Sequence, residues 1–323
     1  MSTVRSTRPV GRRRRSRRLL WWGAPLLAVA VALVVVIGLL TWWRPHHPKV
    51  LWDGGFDTGA IPRGRNGSDC HTGRDVRTPP HSRGYESIQE QGNTNCSSDV
   101  SVTGSRVRTP DSKRSLRIEM GPHQQRELAQ STYTWTPDDH GSVDLWYGLS
   151  LYYASDWNEG GGLQKEVSAS MWHTPVAWRM QGDNGSLNIS GDRNLDNSNG
   201  KPYKSFDTPH LVLRRNTLQQ RRGLYKDGEG LDKLDLGPLV VGKWIDLVCH
   251  IRWSTSEDNA LTECWRDGQY RGKRTHRNAV AARPHNLRVG MYQTTAIDHP
   301  RTVYVDNVRI GTGYAAVNPA RTR

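Results

Sequence analysis

Short segments rich in β-branched and aromatic residues follow one another along the chain, and Gly, Pro, Asn or Asp residues bound most of them. Segments of this kind predict β-strands, and no stretch after residue 43 has the periodicity of an amphipathic helix. Many short strands in one chain predict an all-β sandwich or jelly roll. The predicted strands are residues 115–120, 145–153, 167–173, 187–190, 211–214, 244–253, 261–265, 287–292 and 302–310.

Alternation is clearest in residues 244–253, where apolar side chains occupy every second position. Because successive side chains of a strand point to opposite faces of its sheet, we expect the apolar set in the core. The polar set, Asp246, His250 and Arg252, is then either solvated or lines a concave binding surface. The apolar set comprises Ile245, Leu247, Cys249, Ile251 and Trp253.

One tight turn is also marked in the sequence. Asp267-Gly268 separates residues 264–266 from Gln269-Tyr270, and Asp-Gly is a favoured pair for the type I′ turn of a two-residue hairpin. The sequence therefore predicts a β-hairpin at this point.

The N-terminus has a different pattern, because residues 19–43 carry no charge and residues 1–18 carry eight arginines and no acid. A spanning helix needs about 20 apolar residues, and a cleavable signal has a shorter apolar core followed by a small-residue cleavage site. We read residues 19–43 as an uncleaved signal-anchor, with late cleavage left open. The arginines then stay cytoplasmic, and Trp21, Trp22, Trp42 and Trp43 mark the two interfaces. A nucleic-acid patch and a twin-arginine export signal are the weaker readings of the arginines.

The expected organisation follows from this anchor. Residues 1–18 are a cytoplasmic segment, 19–43 the transmembrane helix, 44–50 a linker, 51–314 a single extracellular sandwich domain and 315–323 a C-terminal tail. The chain is thus expected to be a single-pass cell-membrane protein and a monomer, with no nucleic-acid partner. Its formal net charge is +14, of which the N-terminal arginines supply eight. The remaining basicity suits an anionic ligand, or reflects an arginine-rich composition.

Four cysteines agree with placement in an oxidising compartment. If residues 244–253 and 261–266 form a hairpin, Cys249 and Cys264 lie almost opposite each other. We therefore expect a Cys249–Cys264 disulfide, and Cys70 and Cys96 are then left to pair. No cysteine has a C-x-x-C partner or a cluster of histidines nearby, which argues against a zinc site.

Several enzyme classes lack their motifs here. The chain has no H-E-x-x-H, G-x-S-x-G, P-loop or G-x-G-x-x-G motif, and no strand presents the pair of carboxylates that retaining glycoside hydrolysis requires. Asp138-Asp139-His140 follows Pro137 and reads as a turn in preference to a metal site. No metal or cofactor is expected, and the sequence leaves a structural calcium ion open.

Six short motifs stand in a recognisable order: QQREL at 124–128, WYGLS at 146–150 with DW at 156–157, MWH at 171–173, WID at 244–246, RVGMY at 288–292 and YVDNVRI at 304–310. In this order and spacing the chain resembles the jelly-roll polysaccharide lyases, in particular the heparin lyase I-like and glucuronan lyase-like families. The resemblance covers residues 52–313. It implies a concanavalin-like sandwich that cleaves a uronate-containing anionic polysaccharide by β-elimination.

The resemblance also implies roles for individual residues. His173 matches the histidine that removes the proton beside the uronate carboxylate, and Tyr292 matches the tyrosine that protonates the leaving oxygen. A base of modest pKa needs the carboxylate's charge neutralised, which requires a cation or an amide donor nearby. The substrate-binding candidates are Arg126, Gln125, Arg288, Trp172 and Arg179.

The chain departs from the family pattern at three points. Met171 replaces the polar residue of a Q-x-H strand, and a thioether donates no hydrogen bond. Arg288 replaces the lysine of K-x-G-x-Y. In the R-x-E-L strand, aligning Glu127 and Leu128 puts Gln125 at the arginine position, so either a bulge brings Arg126 to the site or Gln125 supplies a neutral donor.

Other readings stay open. His173 is also compatible with an exposed loop, Tyr292 with a core or rim aromatic, Trp172 and Trp146 with the core, and Arg179 with a solvated strand edge. The whole chain is also compatible with a carbohydrate-binding sandwich that has lost its chemistry, or with a structural adhesion protein of the cell envelope. A lyase forms a conjugated double bond that absorbs in the ultraviolet, and these two alternatives do not.

Overall fold

The computed structural model describes residues 48–57, 85–91, 99–122, 126–136, 142–158, 173–180, 206–214, 217–224, 233–256, 258–275, 278–279, 285–293 and 299–321. They belong to one compact unit, Pro48–Arg323. The strands are β1 Val50–Asp53, β2 Tyr85–Gln91, β3 Asp99–Thr103, β4 Ser115–Met120, β5 Arg126–Trp135, β6 Val143–Tyr153, β7 His173–Met180, β8 Phe206–Arg214, β9 Thr217–Leu224, β10 Lys233–Pro238, β11 Trp244–Trp253, β12 Leu261–Arg266, β13 Gln269–Arg274, β14 His285–Gln293 and β15 Arg301–Gly311.

Two antiparallel sheets make up the fold. The first sheet has the order β13-β12-β11-β6-β15-β4-β3, with β1 also paired to β15, and the second has the order β10-β9-β8-β7-β14-β5-β2. A 3₁₀ turn, Ser155–Asn158, follows β6, and a one-turn helix, α1, spans Tyr314–Val317. The predicted all-β sandwich is therefore confirmed for the described part of the chain.

The hydrophobic core lies between the two sheets, and both contribute alternate residues to it. From the first sheet come Leu149, Leu247 and Val305, and from the second Trp178 and Val289, all 2 % exposed or less. The inner face of each sheet is the face that carries such core residues, and the outer face is the opposite one.

The predicted strands agree well with the structure where they can be compared. β4 and β11 have the predicted bounds. Of the predicted strand 167–173 only His173 is described, and it begins β7, which continues beyond the predicted end through Thr174 and Pro175. Pro175 is tolerated there because the register of β7 shifts between His173 and Val176, as it does at a bulge. Residues 167–172 and 187–190 lie outside the described residues.

The hairpin between β12 and β13 and its neighbour β11 follow the sequence closely. Asp267 and Gly268 have φ values of 52° and 78°, the positive values that a type I′ turn requires. On β11 and β12, Cys249 lies directly opposite Cys264 with a Cα–Cα distance of 4.2 Å, and the two form the expected disulfide. Cys70 and Cys96 lie outside the described residues, so their pairing stays a prediction.

The two ends of the domain meet on the first sheet. The backbone N–H of Thr312 donates to the carbonyl of Lys49 at 2.9 Å, and the N–H of Lys49 donates to Oγ1 of Thr312 at 2.8 Å. Beyond this point α1 packs against β6 at Gly148, where a Cβ would overlap the carbonyl oxygen of Val317. The packed structure therefore extends past residue 314.

The polar face of β11 is occupied by paired charges. Asp246 is 5 % exposed and accepts hydrogen bonds from both Nε and Nη2 of Arg108, at 2.8 and 2.6 Å, and from Oγ of Ser150 at 2.7 Å. His250 stacks on Trp146 with ring centroids 4.2 Å apart. These outer-face residues of the first sheet are therefore bound within the protein.

Within the described part of the chain, no helix is both long enough and apolar enough to cross a membrane. The predicted anchor, residues 19–43, lies outside that part.

Candidate functional site

Strand β14 runs through the middle of the second sheet and separates two sets of side chains. Leu287, Val289 and Met291 are fully buried in the core. The intervening residues Asn286, Arg288, Gly290 and Tyr292 therefore belong to the outer face. Tyr292 is half-buried and lies outside the core cluster, so the alternative of a core tyrosine does not hold.

A local irregularity lies just before Tyr292. Gly290 has a φ of 145°, and the register against β7 shifts between Val289 and Tyr292. Bulges of this kind bend a strand and change the direction of the residues beside them, and they are frequent near active sites. The sequence motif R-x-G-x-Y thus corresponds to a bulged strand that sets the orientation of Tyr292.

Arg126 begins β5 directly opposite Tyr292, whereas Glu127 lies opposite the core residue Met291. Directly paired positions share a face of the sheet. Arg126 is therefore positioned in the row of Tyr292 on the outer face. Of the two alternatives left open by the sequence, the register favours Arg126, and Gln125 lies outside the described residues.

Arg288 occupies a separate point of the same face. It is four residues from Tyr292, which is about 13 Å along a strand. Its side chain is 4 % exposed, and its Nε donates to Oδ1 of Asn286 at 3.3 Å. On the adjoining strand β7, Arg179 is the partner position of Asn286. Three arginine positions thus lie on the outer face of β5, β7 and β14, and Arg126 is the one beside Tyr292.

His173 lies on the other side of the sheet from Tyr292. It pairs with Leu213 on β8 and with Gln293 on β14, and its ring packs on those of Trp157 and Tyr153 at centroid distances of 4.9 and 5.8 Å. Since Leu213, Trp157 and Tyr153 belong to the core cluster, His173 is on the inner face. The structure therefore does not bring His173 and Tyr292 together.

The imidazole of His173 is only 1 % exposed, so it is not an exposed loop histidine. Burial, together with the positive charge of Arg301, lowers the pKa of His173 well below its usual value. Neither ring nitrogen has a hydrogen-bond partner among the described residues, and the same holds for both amide atoms of Gln293. His173 is therefore a neutral base beside a second unpaired polar side chain.

The remaining candidates from the sequence do not join Tyr292. Trp172 lies outside the described residues, as does Met171. Trp146 is half-buried on the outer face of the first sheet, away from Tyr292.

Reasoning from the sequence missed three buried polar residues, Asn286, Gln293 and Arg301. The predicted strand 302–310 begins one residue after Arg301 on β15. The predicted strand 287–292 lies directly between Asn286 and Gln293 on β14. Burial was the missing information, because a polar residue in a predicted strand is ordinarily expected at the surface.

The described residues contain no group of three His, Cys, Asp or Glu side chains arranged to hold a metal ion. The charged residue described directly opposite Tyr292 is Arg126, a cation that favours an anionic ligand.

A comparison with protein families adds to this geometry. The family described as Polysaccharide lyase matches residues 80–309, more than half of the chain. The chain belongs to this family. The matched part of this polysaccharide lyase includes β5, β7 and β14, the strands that carry Arg126, His173 and Tyr292.

Solved structures resemble this polysaccharide lyase in fold. The endo-β-1,4-glucuronan lyase of the fungus Trichoderma reesei is 16 % identical, with a TM-score of 0.50 over 75 % of this chain and 97 % of that one. The alginate lyase of Aplysia kurodai is 10 % identical, with a TM-score of 0.45 over 81 % and 98 % of the two chains. The glycoside hydrolase family 131 domain of Coprinopsis cinerea is 12 % identical, with a TM-score of 0.47 over 84 % and 97 %. No curated protein matches the chain.

Proposed function

We propose that this polysaccharide lyase cleaves a uronate-containing anionic polysaccharide by β-elimination, outside the membrane to which residues 19–43 hold it. The observation that carries the proposal is the row formed by Arg126 and Tyr292, a cationic position directly opposite a phenol on the outer face of the second sheet. β-Elimination at a uronate needs both groups, a cation that neutralises the carboxylate and an acid that protonates the leaving oxygen. The name of the Trichoderma reesei structure, a glucuronan lyase, agrees with this substrate class.

The reaction requires two proton transfers. A base removes the proton at C5 of the uronate, the bond between C4 and the glycosidic oxygen breaks, a C4–C5 double bond forms, and an acid protonates the leaving oxygen. The C5 proton becomes removable only when the adjacent carboxylate is neutralised. Tyr292 is the acid in our proposal, and Arg126 is the neutralising cation because it lies in the same row.

Arg288 has a different role in this proposal. Arg288 is about 13 Å from Tyr292 along the strand. At this distance Arg288 and Arg126 cannot both bind the same carboxylate. Arg288 binds another part of the anionic chain. Arg179, across from Asn286, belongs to the same part of the surface.

We assign the base to His173. Its lowered pKa keeps the imidazole neutral and able to accept a proton at neutral pH. The assignment requires the start of β7 to rearrange, because rotation about the side-chain bonds alone cannot carry the ring from the inner to the outer face of a sheet. The absence of a hydrogen-bond partner for either ring nitrogen among the described residues favours such a rearrangement, since a buried polar group without a partner costs about 1–3 kcal/mol.

The test uses Tyr292→Phe, which removes one hydroxyl, and polyuronates as substrates. The rate at which absorbance of the unsaturated product increases should fall about 10²–10⁴-fold, the usual effect of losing a proton-transfer group. Tyr304→Phe is the matched control, because Tyr304 is a half-buried tyrosine of the first sheet, and it should retain activity. Full activity of Tyr292→Phe would refute the assigned acid.

His173 needs a separate variant, because a residue that only packs in the core tolerates an apolar substitute. His173→Leu keeps the volume and the apolar contacts with Trp157, so a packing role predicts a folded and active enzyme. Our proposal predicts a folded and inactive one. No product from any polyuronate with the wild-type protein would reject the whole proposal and favour a binding function.

A further inference from the structure

One end of the first sheet carries a concentration of positive charge. Strand β13, Gln269–Arg274, is the last strand at that end and is exposed along most of its length. Three of its six residues, Arg271, Lys273 and Arg274, are cations, and none is an acid. Glu263 on β12 lies opposite Lys273 but pairs with a histidine. Among the described residues, neither Arg271 nor Lys273 forms an ion pair.

A bulge in β13 sets the position of Arg271. Tyr270 lies opposite Trp265 and Gly272 lies opposite Cys264, so no residue of β12 is left for Arg271. The extra residue of a bulge leaves the regular alternation of the strand, and its side chain takes a different direction from those of its neighbours. Arg271 is therefore not confined to the two faces of the sheet.

Arg274 is held where β13 meets β10 of the second sheet. Its Nη1 and Nη2 donate to the carbonyl oxygens of Lys273 and Lys233 at 2.8 and 2.9 Å. Lys233 begins β10 and is exposed, and it forms no ion pair within the part of the chain that the structure describes. A fourth cation thus lies beside β13, and the guanidinium between the two strands is fixed in place.

An exposed aromatic ring lies among these cations. Tyr270 is 51 % exposed, and it is the one aromatic residue more than half exposed among those whose side chains the structure describes. Its ring packs against that of Trp265 with the centroids 5.2 Å apart. The protein therefore supports one side of the ring and leaves the rest open to solvent.

Charge on an edge strand has a simpler explanation, which does not account for Tyr270. Edge strands carry charged residues because charge prevents pairing with strands of other molecules. Charge of either sign has this effect, and no aromatic ring is needed. A supported ring beside cations of a single sign fits instead a ligand that has both apolar surface and negative charge. A sugar ring has apolar C–H faces, and a uronate adds a carboxylate. A membrane surface would also attract the cations, but Tyr270 is the one apolar side chain that β13 offers for insertion.

We propose that β13 is a second binding surface for the anionic polysaccharide, away from the face that carries Tyr292. This β13 surface consists of Tyr270, Arg271, Lys273, Arg274 and Lys233. The inference rests on the proposed function for the class of polymer. The ring of Tyr270 packs on a sugar face, and the cations attract carboxylates. Long chains then bind at the β13 surface as well as at the site of cleavage, and short oligomers bind at the site of cleavage alone.

The first test uses the double variant Arg271→Glu, Lys273→Glu of the full-length protein in neutral detergent micelles. KM for a long polyuronate should rise about 5-fold or more, since an exposed ion pair contributes up to about 5-fold in affinity. KM for a uronate trisaccharide should match that of wild type. A role limited to blocking strand pairing predicts no change in either KM, because glutamate also blocks pairing, and that result would overturn the proposal.

The control is the double variant Lys113→Glu, Arg114→Glu, which alters net charge equally at two exposed residues before β4. An equal rise of KM in this control, or an equal rise for the trisaccharide, would overturn the β13 surface. An unchanged polymer KM together with weaker binding of a fluorescent anionic lipid by the β13 variant would also overturn it, in favour of a membrane contact.

The second test separates the ring from the charge. Tyr270→Ala should raise KM for the polymer about 2–10-fold, the usual range for an aromatic contact, and Tyr270→Phe, which keeps the ring, should not. Equal KM values for Tyr270→Ala and wild type would overturn the role of the ring. If wild type forms no unsaturated product from any polyuronate, the proposed function fails. Retardation of the same variants in gels that contain polyuronate then tests the β13 surface by itself, and equal retardation of all of them would overturn it.

Discussion

Two histidines of the fold have opposite electrostatic surroundings. His173 is buried among aromatic rings and near Arg301, and both effects lower its pKa. Burial also lowers the pKa of His250, but the ring bonds to Asp144 and Glu263 outweigh it and the net pKa is raised. His250 Nε2 lies 2.6 Å from Asp144 Oδ1, and Nδ1 lies 2.8 Å from Glu263 Oε1. Protonation therefore strengthens the fold at His250 and weakens it at His173.

The His250 cluster makes a prediction about pH. Because the folded pKa is raised, its stabilisation is fully present below the unfolded pKa of about 6.5 and is lost as pH rises through the folded pKa. His250→Gln should therefore cost about 1 kcal/mol at pH 6 and less at pH 9. Urea unfolding of wild type and variant at both pH values measures this difference. A cost that grows with pH would contradict the proposed charge on His250.

At the scale of single residues, the sequence predicted the strand to which a candidate belongs better than the face of the sheet on which it lies. Tyr292 and Arg126 were recognisable from their motifs, and the register of β5 against β14 then put them opposite each other. The inner-face position of His173 was not predictable, because it depends on shifts in register on both sides of β7. The missing hydrogen-bond partners of Nδ2 of Asn286 and of both amide atoms of Gln293 were equally hidden, since a missing partner is a property of the folded chain.

At the scale of elements, α1 depends on one small residue of β6. Gly148→Ala would place a Cβ against the carbonyl oxygen of Val317, so we expect displacement of α1 and a loss of about 1–3 kcal/mol of stability. Chemical unfolding measures the loss, and limited proteolysis should cut near residues 312–321 sooner than in wild type. Gly104→Ala is the control, because its Cβ would meet only the carbonyl oxygen of Lys113 at 3.3 Å. Unchanged stability and cleavage would show that α1 does not rely on this contact.

Strands with regular alternation were the predictable ones. β11 places Ile245, Leu247 and Ile251 in the core as its pattern predicts. β9 contains the run Gln219-Gln220-Arg221-Arg222, and a polar run of this kind does not indicate a strand. It forms a strand because β8 and β10 supply hydrogen bonds on either side. The local sequence pattern carries no information about these neighbouring strands.

For the whole molecule, the N-terminal segment predicts where the protein is found. If residues 19–43 are a signal-anchor, the full-length protein should fractionate with membranes and be released only by detergent or proteolysis. The physical reason is the cost of exposing about 20 apolar residues to water. Mass spectrometry of protein in the medium is the check. A mature form beginning after Trp43 would show instead that the segment is cleaved.

The reciprocal hydrogen bonds between Lys49 and Thr312 hold the two ends of the domain side by side. Where a chain enters and leaves a fold at the same place, the order of its strands in sequence is not what holds them together. Gly313 lies beside Pro48, so a flexible peptide long enough to pass α1 could join residue 321 to residue 48, with the chain reopened in the exposed turn at Asp267-Gly268. Such a circular permutant would keep both sheets and the face that bears Tyr292.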